Sequence, residues 1–327
     1  LPAYVERYLI SHRSHMPNLT ADNYLGIGIV GGVGVFGLIS NGLAMLILIK
    51  GGKISHSFQQ LCFSHCTANV ICLTFFVFYC TPMIIMQSSF SHTSPIAKLF
   101  GGFMIAIWDV CVYSHLMSSI NRLIVITWPI ESRNFLRQRN TSIMIAIVWF
   151  LGFLHFIPYL LVDKCYAVFY ASNYLWEFAP NYCGFVLGKV LDFGTGVSVF
   201  ILILSMDLFT LYRIHKTMVK FRKTMRTQDL KFFVQSCLQF SIFVVKLTNF
   251  YFISGYFAGD IVKYHWQLFF TTTFVWEATH CIDGIILIPF HYGDWKARRS
   301  SNTTITGQSH MTRRGQHSSV PMKAFVV

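Results

Sequence analysis

Residues 25–49 read LGIGIVGGVGVFGLISNGLAMLILI, without a single charged side chain. As a helix rising 1.5 Å per residue, this run exceeds the ~30 Å hydrocarbon core of a bilayer. Six further apolar runs follow, at roughly 61–86, 99–126, 143–162, 190–211, 232–257 and 266–290. Each is long enough to cross, and a soluble core rarely needs seven such runs. The pattern predicts an all-α fold, a bundle of seven transmembrane helices.

Composition agrees. Of 327 residues, 54% are hydrophobic and 12% charged, against about 25% charged in ordinary soluble domains. The net charge of +13 is distributed unlike that of a nucleic-acid binder. Most Lys and Arg fall on alternate connections: Lys50 and Lys53 after the first run, Arg133, Arg137 and Arg139 after the third, the basic stretch 212–231 after the fifth, and the C-terminal tail. Positive residues accumulate on the cytoplasmic side, which places the N-terminus outside and the C-terminus in the cytoplasm. The same cations would meet anionic membrane lipids, and no nucleic acid is expected as a partner. The chain divides into an extracellular N-terminus (1–24), a membrane domain (25–290), a short amphipathic surface helix (291–299, containing Trp295) and a polar, disordered cytoplasmic tail (300–327). Residues 1–24 lack the apolar core of a signal peptide, so the first run is expected to serve as an uncleaved signal anchor.

Seven of the nine cysteines lie within runs, where they fill space like small apolar residues. Cys165 and Cys183 lie in the outer connection between runs four and five. A disulfide between them is the preferred pairing, with Cys80 as a rival partner. Asn18 opens an Asn-Leu-Thr sequon on the external side. No nucleotide-binding glycine loop and no closely spaced histidine box is present. His115 and His280 are too isolated along the chain to argue a metal site, so neither metal, cofactor nor enzymatic activity is expected.

Polar residues inside a membrane are costly and mark function. Three groups stand out. Asn41, Asn69 and Asp283 suit one hydrogen-bonded network that repacks between two states, or a static polar glue. His115, Ser119 and Arg122 repeat at i, i+4 and i+7, which places them on one helix face. In the outer half, Trp108 and Asp109, then Gln239, Lys246, Asn249 and Tyr256, then Thr273, Glu277 and His280 are candidates for a ligand pocket. Lys246 and Glu277 lie at compatible depths. They either pair with each other, or one serves as the counter-ion of a ligand.

Several segments carry a family likeness: Ser40-Asn41-Gly42; 57–69, opening Ser57-Phe58 and ending Asn69; Ser118-Ser119-Ile120-Asn121-Arg122-Leu123 with Pro129; Cys165-Tyr166 with Cys183; and His280-Cys281-Ile282-Asp283-Gly284. From about residue 25 to 295 the chain resembles the nematode serpentine chemoreceptors of class X, within the heptahelical G-protein-coupled receptors. The resemblance implies a multi-pass plasma-membrane receptor, with a sensory cilium among the places it admits, that binds a small external chemosensory molecule and activates a heterotrimeric G protein. Arg122 then stands where rhodopsin-like receptors have the Arg of their Asp-Arg-Tyr motif, with Asn121 replacing the acid. The G-protein face is expected to include Asn121, Arg122, Arg133, Lys220 and Arg222. Asp283-Gly284 replaces Asn-Pro, and no cysteine stands at the outer end of run three. A ligand-gated channel or transporter is the alternative, and would need a continuous polar pathway or internal repeats.

Overall fold

The computed structural model describes residues 19–51, 57–161, 164–221 and 227–315. Seven principal helices organise it: α1 (Ala21–Lys50), α2 (Ser57–Phe75), α3 (Pro95–Thr127), α4 (Gln138–Leu154), α5 (Thr195–Phe221), α6 (Thr227–Thr248) and α7 (Val275–Gly315). α1 starts on an N-cap, Thr20, whose hydroxyl accepts from the amide of Asn23. α3 starts on capping Ser94 with Pro95 in the first turn, where a missing N–H costs nothing.

Five helical stretches are long and apolar enough to cross a membrane: Ala21–Lys50, Ser57–Met86, Pro95–Thr127, Tyr182–Lys216 and Leu230–Tyr256. The fourth and seventh expected runs are built differently. Run four divides into α4 and a short helix, Ile157–Leu161, and Pro158 in the first turn of that second piece explains the break. Run seven is a composite of His265–Phe269, a π segment at Phe270–Phe274, and α7, and it carries Glu277, His280 and Asp283 among its apolar residues. α7 continues without interruption to Gly315, through the stretch that the sequence divides into a surface helix and a tail.

The surface is inverted relative to a water-soluble protein. Phe36, Ile39, Phe78 and Phe150 are exposed, while Asn41, Asn69, Lys246, Glu277 and His280 are buried. This is the arrangement expected when the surrounding solvent is apolar. α3 lies at the centre, against α2, α4, α5 and α6. α1 packs on α7 through small residues. A methyl at Gly34 would come within 2.9 Å of Glu277 Oε1 and 2.6 Å of Val77 Cγ2. Gly34→Ala should therefore cost about 1–3 kcal/mol by overpacking, read from detergent thermal unfolding.

The connection between α4 and α5 forms a hairpin of β1 (Ala167–Tyr170) and β2 (Leu175–Phe178), antiparallel with Ala167 opposite Phe178 and Tyr170 opposite Leu175. The sequence gives no warning of it. The hairpin caps one end of the bundle with Phe169, Tyr174 and Trp176 buried. The Tyr174 hydroxyl donates to Asn23 Oδ1 at 2.6 Å. Burial pushes this phenol up to about 12, so it remains a donor at physiological pH. Burial likewise raises Glu177, opposed by a hydrogen bond from Asn173. Tyr174→Phe removes one buried hydrogen bond and strands its acceptor, and should destabilise the fold by about 1–2 kcal/mol in a thermal-unfolding assay.

Four π segments occur among the described residues: Phe76–Cys80, Val186–Gly194, Asn249–Ile253 and Phe270–Phe274. They adjoin α2, α5, α6 and α7 toward the hairpin end. Such turns rotate the residues beyond them away from the 3.6-residue phase and are frequent at functional sites.

Candidate functional site

Beneath the hairpin, the helices bring three tryptophans and one buried cation together. Lys246 of α6 is 2% exposed. Its Nζ sits 3.4 Å from the centroid of the Trp108 ring, 4.9 Å from Phe250 and 5.6 Å from Trp276. An ammonium over an indole face is worth about 2 kcal/mol or more when water is excluded. The Trp108 indole N–H donates to Asp192 Oδ1 at 3.0 Å, and Tyr251 donates to the other Asp192 oxygen. Trp276 lies edge-on to Trp108, Phe76 and, from the hairpin, Trp176. The anionic group closest in this chain of contacts is Asp192, on the π segment preceding α5.

Lys246 and Glu277 do not form an ion pair among the described residues. Glu277 is fully buried against α1 beside Gly34, and neither of its oxygens has a hydrogen-bond partner there. Asp109, one residue beyond Trp108, points to α4's end instead, where its Oδ2 lies 3.2 Å from His155 Nδ1. His155 Nε2 in turn meets the Tyr113 hydroxyl at 3.0 Å. Two expected pocket residues are not brought in. Asn249 bonds back to the carbonyl of Val245 on its own helix, and Tyr256 is 84% exposed. For Tyr256 the reason is local: the π segment Asn249–Ile253 and the 3₁₀ turn Ser254–Tyr256 separate it from Lys246 and break the regular spacing.

His280 joins this cluster to a second one. Its ring stands edge-on to Trp108, centroids 5.9 Å apart, and its Nδ1 donates to Asn69 Oδ1 at 2.8 Å. Asn69 Nδ2 donates to Asn41 Oδ1 at 3.3 Å, and Asn41 Nδ2 donates to the carbonyls of Gly37 and His280 at 2.9 Å each. Gly284 permits this approach, since a methyl there would meet Asn41 at 2.7 Å. Asn41 and Asn69 thus share a network. Asp283 stands one turn beyond His280 and bonds a residue the sequence reading passed over, His65, at 2.9 Å.

At the end opposite the hairpin, Arg122 is 3% exposed. Its guanidinium carbon lies 3.5 Å above the Phe58 ring and 5.6 Å from Phe232. Those rings are 5.0 Å apart, and His291 of α7 stacks on Phe232 at 5.2 Å. Asn121 donates to Ser57 Oγ at 2.8 Å. Ser119 donates to Asp207 Oδ1 at 2.7 Å. His115, Ser119 and Arg122 therefore reach three different neighbourhoods, because α3 is enclosed on all sides. Arg133 is exposed. Lys220 lies on α5, while Arg222 and Asn18 lie outside the described residues. Cys165 and Cys183 are joined as a disulfide, and Cys80 is a buried free thiol.

Sequence reasoning missed Asp192, Asp207, His65, His155 and Trp276. For the first four the signal was available: each is an ionisable residue inside or at the edge of an apolar run. Their partners lie on other helices and were not available.

Residues 32–291 match the family model described as serpentine type 7TM GPCR chemoreceptor Srx. Among curated proteins, the chain is similar to serpentine receptor class X 45 of Caenorhabditis elegans, 23% identical over 255 residues, covering 73% of this chain and 70% of that protein. It is also similar to serpentine receptor class X-43 of the same organism, 25% identical over 203 residues, covering 60% of this chain and 62% of the relative.

Proposed function

The chain belongs to the Srx family of serpentine 7TM GPCR chemoreceptors, and on that premise we propose that it crosses the plasma membrane seven times, binds a small external molecule under the hairpin, and activates a heterotrimeric G protein. The family is a receptor family, not an enzyme family. In this reading the N-terminus and hairpin face outside, and the Arg122 end and basic 212–231 stretch face the cytoplasm. A sensory cilium is the site we assign to it. One observation carries the proposal: the buried Lys246–Trp108 pair is linked through His280 to the Asn69–Asn41 network. A ligand that displaces the ammonium from the indole disturbs a contact shared with α7. It shifts the population toward another packing by as much as it prefers that packing.

At the cytoplasmic end, Arg122 held against Phe58 and Phe232 supports a resting arrangement in which the arginine is withheld from the G protein. Removing both rings forfeits about 2 kcal/mol of cation–π attraction, which converts to roughly 30-fold in the balance between packings. The combined Phe58→Ala and Phe232→Ala variant should therefore raise ligand-free nucleotide exchange on a reconstituted heterotrimeric G protein by about tenfold or more at matched receptor amounts. Unchanged basal exchange in a folded variant would count against the resting role of the stack.

A further inference from the structure

We propose that His65, His115 and Asp283 form a binding site for a divalent transition-metal ion of the zinc type, bridging α2, α3 and α7. One ligand atom from each residue lies within 4.8 Å of the other two. His65 Nε2 and Asp283 Oδ2 are 2.9 Å apart, and the two imidazole centroids are 4.7 Å apart in an edge-to-face arrangement. The residues are 4%, 8% and 1% exposed. They are far apart in the chain, so only the packing of three helices assembles them.

The donor set is chemically selective. Zinc binds imidazole nitrogen and carboxylate oxygen at about 2.0–2.2 Å, which sets tetrahedral ligand-to-ligand edges near 3.3 Å. The His65–Asp283 pair already stands close to that separation, and the His115 nitrogen, within 4.8 Å of both, has to close on them to complete the set. Two imidazoles and one carboxylate suit zinc, copper or nickel better than magnesium or calcium, which take all-oxygen shells. Three protein ligands leave a fourth position for water or another small donor.

A second observation points the same way. Asp283 Oδ1 is buried without a hydrogen-bond partner, and no hydrogen bond to either ring nitrogen of His115 forms among the described residues. A carboxylate oxygen stripped of water and left unpaired is costly. A metal ion held by both oxygens of the Asp283 carboxylate supplies Oδ1 with the missing partner and offsets the burial of the acid. The ion would tie together the helices that lie between the Lys246 cluster and the Arg122 stack, and so hold them in the packing described here. The site stands on these three residues alone and not on the receptor reading.

The test uses the purified full chain in lipid nanodiscs, stripped with a chelator and titrated with zinc, with cobalt as a spectroscopic substitute. One equivalent is expected to bind, to raise the thermal midpoint, and to give the strong visible bands of low-coordinate cobalt. His65→Ala and His115→Ala should each weaken binding by at least about 100-fold, no less than loss of an outer-shell partner costs. His265→Ala, a histidine beside Asp22 at the periphery, should leave it unchanged. Where an alanine variant fails to fold, His115→Gln keeps the volume and serves instead. No binding at micromolar zinc, or one equivalent retained in both the His65 and His115 variants, overturns the proposal. The second result would mark an adventitious ion only.

Discussion

Replacing Lys246 by Met should lower agonist potency by about 30-fold or more while leaving surface expression and thermal stability close to those of the parent protein. The thioether nearly fills the volume of the lysine stem, so packing around Trp108, Phe250 and Trp276 is retained. The charge is lost, and with it the charge-assisted contact that a ligand makes with the ammonium on drawing it off the indole face, a contact worth about 2 kcal/mol. A buried ammonium is itself expensive, so its removal should not weaken the fold and is free to strengthen it. This separates the two readings of Lys246. A residue kept for ligand response loses potency with stability intact, whereas a purely structural cation loses stability and expression in step. The assay is a dose–response curve for an agonist selected from small volatile and water-soluble compounds, in cells reporting G-protein activation, with surface receptor measured in parallel.

Removing the Cys165–Cys183 bridge should cost about 3 kcal/mol, the chain-entropy value for closing a separation of 18 residues. For a chain of 327 residues the loss corresponds to roughly 4–5 °C in the thermal midpoint. The bridge ties the start of the hairpin to the short helix Tyr182–Phe185 that leads into α5. Its loss loosens the element that covers Trp276 and the Lys246 cluster, so ligand potency should fall with stability. The double Cys165→Ser and Cys183→Ser variant, unfolded beside the parent with and without reductant, gives the measurement. Reductant should lower the parent to the level of the variant and leave the variant unmoved. A variant as stable as the parent would show that the hairpin is held by its buried Phe169, Tyr174 and Trp176 alone.

The helical bundle was legible because apolar runs of the right length leave few alternatives, and the caps at Thr20 and Ser94 follow ordinary rules. Asn41 and Asn69 were legible as partners for a related reason: an amide inside lipid must find another polar group. The pairings made by charged residues were not. Lys246 was matched to Glu277 by depth, yet depth says nothing of rotation about the helix axis. The lysine turns to Trp108, whose indole is held by Asp192, and the acid turns to Gly34 on α1. Tyr256 was misplaced because regular spacing fails through the π turn that precedes it. His65 drew no notice in the sequence and His115 stood out only with Ser119 and Arg122 on its own helix; only the meeting of α2, α3 and α7 makes the two a cluster with Asp283. The sequence thus carries which residues are polar within the membrane, while the helix rotations that choose their partners belong to the assembled bundle.

The most direct test of this account is the sidedness of the two chain ends. With one epitope fused before Leu1 and another after Val327, intact cells should expose the first to antibody and shield the second, and permeabilisation should reveal both. If the two epitopes behave alike in intact cells, the chain crosses an even number of times, and an external pocket beneath the hairpin cannot face away from a cytoplasmic Arg122 as described.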